Sequence, residues 1–291
     1  WILHWKGNTS HETIIWTRDV AMRVWGGFLK QLSEKLDSIR LHAGQCLERI
    51  LTFLTTKTFS ATTTMDLHIP NGFMEALGIG QEEEVNWADA KITFPKVMNV
   101  ASMVPELFYP IVSGMVVSVG ALTESVTVHS EQALLEWIQN KDNGNHPREG
   151  EERRKRFGQA VLQLFAEYKR NRRVIVPLLM TLESLYKRGI VLDCDDHDFS
   201  MSLLSCLKVE VKNSSDVQKI LSIGTIAIMG LLSMTTFSSN ASNNKSNGQQ
   251  EDINDNDKEN TENSIHHHQK RILSFVLGLL GHEYPRVRRH V

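Results

Sequence analysis

Cysteine is scarce: Cys46, Cys194 and Cys206 are the three in 291 residues, odd in number and far apart. This excludes an even disulfide framework and a paired Cys-x-x-Cys metal site, and it predicts a reducing compartment. Net charge is also small, about −2 with histidine neutral. No global field draws the chain to nucleic acid or to an anionic membrane, so an electrostatic partner must be recognised by a local patch. Catalytic signatures are missing. No G-x-x-x-x-G-K-[ST] or G-x-S-x-G occurs, and "GIGQ" at Gly78–Gln81 lacks the third glycine of a dinucleotide fingerprint. "HETII", His11–Ile15, starts like a zinc-protease helix but has Ile15 where the second histidine belongs. Divalent-metal binding is conceivable at the "DCDDHD" run, Asp193–Asp198, but a solvated loop between helices is the expectation, and the His266–His268 run reads as incidental polarity. The expectation is a protein with no catalytic residues, no metal site and no cofactor.

A recognisable leader is lacking too. "WILHWKGNTS" has no Met, no basic segment and no long apolar run, so the chain reads as a fragment; the closing "HEYPRVRRHV" opens a helix at Pro285 that stops about two turns later. Ile220–Phe237 is uncharged over about 18 residues, the lower limit for a membrane span. Its serines, threonines and glycines make it poor for lipid, and a buried helix is expected instead.

What is present is helical periodicity. Hydrophobic residues make up 41% and charged residues 23%, enough apolar material for an extended core. Ile39, Ala43, Cys46, Leu47, Ile50 and Leu54 form a helical stripe, repeated in Val126, Ser130, Ala133, Leu134 and Trp137 and in Phe157, Val161, Leu164, Phe165 and Tyr168. The β-branched Met115–Leu122 has no partner strand nearby and is assigned to the end of a buried helix. Helix openings recur at Asp37, Thr123, Asn171, Asp216 and Pro285, the first with the D-x-I-R-x-x-A form of a HEAT-type hairpin. Their spacing is two steps of about 43, then 48, 45 and 69 residues. The last interval contains the Asn-rich Ser238–Ser264, about 27 residues expected to be disordered; without it the step is about 42.

The expected fold is therefore all-α, a HEAT/armadillo-type solenoid of helical hairpins with one disordered insertion. Residues 1–237 form the repeats, 238–264 the insertion and 265–291 the start of a further repeat. Within the first part, about 66–94 reads as an irregular connection with a short helix near Gly72–Leu77 and Trp87 folded back onto the array.

One local charge excess stands out. Arg148, Arg153, Arg154, Lys155 and Arg156 precede one predicted helical stripe, and Lys169, Arg170, Arg172 and Arg173 follow it, against Glu149, Glu151, Glu152 and Glu167. Solvated helix ends and a surface for an acidic protein partner both fit. Nucleic acid fits less well, because Phe157, Phe165 and Tyr168 belong to the buried stripe rather than lying among the cations. The candidate partner contacts are Arg170, Arg172 and Arg173, with Arg286 and Arg289 in a smaller cluster.

Five stretches, "SEKLDSIRLHAG" (Ser33–Gly44), "VNWADAKITFPKV" (Val85–Val97), "GMVVSVGALTESVTVHSEQALLEW" (Gly114–Trp137), "EVKNSSDVQKILS" (Glu210–Ser222) and "HEYPRVRRHV" (His282–Val291), resemble the C-terminal region of the tubulin-folding cofactor D family, in the family's order. The resemblance implies a HEAT-type solenoid that takes up β-tubulin and works with tubulin cofactors E and C to join it to α-tubulin. It also implies partnership with the α/β-tubulin heterodimer and an ADP-ribosylation-factor-like small GTPase. Stimulation of GTP hydrolysis by tubulin, a cytoplasmic, cytoskeleton-associated location and no catalysis by the chain itself follow from it as well. The Asn-rich tract departs from the family pattern. A generic HEAT-repeat adaptor for another protein cargo is the alternative that periodicity alone allows.

Overall fold

The computed structural model describes residues 17–58, 68–81, 84–120, 124–139, 147–190, 192, 198–212, 214, 216–232 and 255–281. The described elements are helices: α1 Arg18–Leu32, α2 Asp37–Thr58, α3 Phe73–Leu77, α4 Ala90–Met103, α5 Phe108–Val119 and α6 Glu124–Gln139. They continue with α7 Pro147–Glu167, α8 Arg172–Lys187, α9 Asp198–Val211, α10 Val217–Thr225 and α11 Asp255–Leu280. A 3-10 turn, Pro105–Leu107, leads into α5, and a π-helical stretch, Ile226–Leu232, prolongs α10. Among the described residues there is no strand.

Local chemistry sets the helix starts. Thr17 caps α1 by accepting from the Val20 N–H at 3.3 Å, Asp89 caps α4 by accepting from the Lys91 N–H at 2.9 Å, and Asp216 caps α10 by accepting from the Lys219 N–H at 3.3 Å. The cap at Asp89 starts α4 within the stretch of about 66–94 that is expected to be an irregular connection. Pro95 lies inside that helix, flanked by buried Phe94 and Val97, so packing outweighs the one backbone bond it removes. Trp87 folds back beneath this region with 1% of its surface exposed.

The helices form two packed layers. Helices α1, α5, α8 and α10 follow one another in the first, and α4, α6, α7, α9 and α11 in the second, with α2 against α1 and α3 against α4 at one end. Helix α5 sits at the centre and is largely buried, from Phe108 and Ile111 to Met115, Val116 and Val119. Two glycines permit its close approaches. A Cβ on Gly114 would lie 2.6 Å from the Lys30 carbonyl oxygen of α1, and one on Gly120 would lie 2.4 Å from Pro177 Cα of α8. The Ser118 hydroxyl adds a bond to the Ser33 carbonyl at 2.6 Å. The apolar stretch from Gly114 is therefore the contact strip between three helices.

That packing alters the repeat register. Helices α2, α6, α8 and α10 carry the recurring openings, yet α8 stacks on α5, while α6 and α7 are consecutive in the chain and share a layer. The close Gly120–Pro177 contact draws α8 to this position. In α2 the buried face consists of Arg40, Ala43, Leu47 and Leu51, and Cys46, placed in the stripe by periodicity, is exposed. The tract expected to be disordered lies outside the described residues as far as 254. From Asp255 the backbone is helical and runs without a break into the packed part of α11, where Ile272, Val276 and Leu279 are buried. Helix propagation from a docked segment needs no new nucleus.

Candidate functional site

Helix α7 ends on a turn fixed by its own stripe. Phe157, Val161, Leu164 and Phe165 are buried, the Tyr168 N–H donates to the Leu164 carbonyl at 2.9 Å, and the Asn171 N–H donates to the Tyr168 carbonyl at 2.8 Å. Asn171 then caps α8, its side-chain oxygen accepting from the Arg173 N–H at 3.1 Å. Lys169, Arg170, Arg172 and Arg173 are all exposed on this turn. Arg170 has φ of 62°, the left-handed region that non-glycine residues rarely adopt.

A buried ion pair holds the turn in place. Glu210 on α9 is 2% exposed and Lys219 on α10 is 8% exposed, and the Lys219 ammonium donates to Glu210 Oε2 at 2.5 Å. The other carboxylate oxygen accepts from the Arg170 N–H at 2.9 Å. One carboxylate thus ties the turn to α9 and α10, with both oxygens satisfied, as a buried charge requires. Asp216, besides capping α10, holds Arg172 Nε at 2.8 Å. Nearby on α9, burial and then the Glu210 carboxylate push the Cys206 thiol up from its ordinary range, with Lys169 opposing.

The cations divide into two places. Arg153 lies over the Trp137 ring and donates to the Trp137 carbonyl at 3.3 Å; Arg156 lies over the Phe108 ring. From Arg153 to the end of α7 is roughly 20 Å at the helical rise of about 1.5 Å per residue. The two basic groups therefore do not merge. Arg286 and Arg289 lie outside the described residues, as do His11–Ile15 and Asp193–His197. Sequence reasoning overlooked Glu210 and Lys219, which act together only because α9 and α10 fold side by side. Asp216 reads from the sequence as a helix opening, but its ion pair with Arg172 leaves no local signal.

Elsewhere the polar features belong to the frame. Arg40 on α2 is buried, donating to the Glu34 carbonyl at 2.8 Å and the Ala88 carbonyl at 2.5 Å across the Phe94 ring. An open cleft of about 550 Å³ between α4 and α6 is lined by Met98, Asn99, Ser102, Glu136 and Trp137, with the Trp137 indole N–H donating to Ser102. Among the described residues no three His, Cys, Asp or Glu side chains gather as a metal-binding group, and no helix is long and apolar enough to cross a membrane.

The site is thus a charged turn at one hairpin of a layered helical array. The model of the tubulin folding cofactor D C-terminal family matches residues 22–219, more than half of the chain, from α1 into α10. The chain belongs to this family, which places it in tubulin folding. The match includes the α7–α8 turn and its Glu210–Lys219 support. No solved structure matches the chain.

Proposed function

We propose that the chain is part of a non-catalytic scaffold that binds β-tubulin and promotes its joining to α-tubulin. It acts with tubulin cofactors E and C and an ADP-ribosylation-factor-like small GTPase in the cytoplasm, at the cytoskeleton. The family match over residues 22–219 carries this reading. The packing is compatible with it: stacked helices present extended surfaces, and the buried polar groups of α2, α9 and α10 serve the frame. The mechanism is differential binding. The scaffold favours the assembly-competent state of a tubulin subunit, and rearrangement linked to GTP hydrolysis by tubulin releases it. Stimulation of that hydrolysis is a property of the assembled complex, with tubulin supplying the chemistry.

Gel filtration of the chain with purified tubulin, with and without the small GTPase, tests the proposal. Co-elution that weakens between low and moderate salt is expected. Separate elution of a folded, helical chain under all these conditions would contradict it.

A further inference from the structure

The α7–α8 turn breaks two local rules within four residues. Arg170 occupies left-handed backbone, where glycine or asparagine ordinarily sits. Arg172 and Arg173 open α8, whose first turn, like those of α4, α5 and α10, has no acid to offset them. Cations at a helix N-terminus oppose the macrodipole. Glycine and acidic residues would be locally better, and conflicts of this kind gather where function requires them. The fold locks the turn rather than relaxing it, since Glu210 fixes the Arg170 N–H. Asp216 engages Arg172, while the side chains of Lys169, Arg170 and Arg173 are exposed with no carboxylate partner among the described residues.

We propose that Lys169, Arg170 and Arg173 form a docking site for a short Glu- or Asp-rich peptide segment of a protein partner. The proposal rests on the scaffold reading and names the chemistry that this turn recognises. Charge complementarity selects the occupant: three open cations lie on one pinned turn, and the partner must supply several carboxylates over a similarly short span. A phosphate backbone fits less well. Glu167, Glu210 and Asp216 bound the positive field, while Phe157 and Phe165 are buried and unable to stack on bases.

The test is fluorescence anisotropy of the 291-residue chain with a labelled oligoglutamate peptide, competed by a DNA single strand of equal length. Wild type binds the peptide, more weakly as salt rises, and the Arg170→Gly/Arg173→Glu double variant loses about tenfold or more in affinity. Its melting midpoint rises, because both changes relieve the local conflicts, so unfolding does not explain the loss. Arg154→Gln/Lys155→Gln, at the other end of α7, retains wild-type affinity. Peptide binding unchanged in the Arg170→Gly/Arg173→Glu variant, no peptide binding by a folded wild-type chain, or stronger binding of the DNA strand would overturn the proposal. Tubulin co-elution distinguishes the two levels. If it persists while the peptide site fails, the scaffold reading survives without this turn; peptide binding without co-elution retains the site and removes the tubulin partner.

Discussion

The turn between α1 and α2 and the turn between α7 and α8 each precede a helix with arginine in its first turn, and the side chains meet opposite fates. Arg40 is 2% exposed and donates to carbonyls on two separate segments. Arg172 keeps 79% of its side chain exposed despite its bond to Asp216, and Arg170 and Arg173 are exposed beside it. The first arrangement uses a guanidinium to fasten the frame, against a burial penalty that lowers its pKa and that Asp37, Asp89 and Glu34 oppose. The second uses buried acid and lysine to present guanidinium groups outward. Residue type alone therefore does not distinguish support from surface; buried carbonyl acceptors brought by tertiary packing do.

The largest effect should come from the buried support of the outward turn. Glu210→Gln leaves the Lys219 charge without a counterion and should lose about 3–5 kcal/mol in urea unfolding. Adding Lys219→Met should recover most of that loss, because no buried charge is then left without a counterion. No recovery would mean that the ion pair has a role beyond mutual neutralisation. Arg40→Ala should cost about 2–3 kcal/mol by leaving the Glu34 and Ala88 carbonyls with a lost donor. A loss below about 0.5 kcal/mol would place Arg40 with the surface arginines and dissolve the comparison.

The outward arginines should respond with the opposite sign. Arg170→Gly should gain on the order of 1 kcal/mol by relieving the left-handed backbone, and Arg173→Glu about 0.3–1 kcal/mol by matching the α8 macrodipole. Thermal melting of each variant beside wild type gives the sign directly.

The smallest effect concerns acid stability. The Tyr109 hydroxyl donates to Glu167 and holds that carboxyl below the usual range, against the opposing effect of burial and with further help from Tyr168 and Lys30. A depressed carboxyl contributes stability above its unfolded-state pKa, and the contribution is lost as pH falls through the folded-state value. Tyr109→Phe should therefore flatten the acid limb of the melting profile slightly. An unchanged limb would show that this exposed contact is energetically silent.

Much of the frame was legible because burial imposes a helical period. The stripes Val126–Trp137 and Phe157–Tyr168 fall on the packed faces of α6 and α7, and the β-branched run from Met115 lies at the end of a largely buried helix. Cys46 misled because a small apolar residue beside a stripe satisfies the period without being inside it. The stacking of α8 on α5 was hidden because it depends on the approach of Gly120 to Pro177, a contact between distant segments. At the candidate site the cations were visible as a charge run. Their division into groups before and after one helix was visible too, but the pinning of the second group was not, since Glu210 and Lys219 are brought together with Arg170 by tertiary packing alone.

Amide hydrogen exchange of the chain with and without tubulin tests the central claim most directly. The account predicts that added tubulin slows exchange in peptides spanning Tyr168–Val174, and that this protection fades as salt rises. Protection confined to the α1–α2 end, with exchange at the α7–α8 turn unchanged, would contradict it.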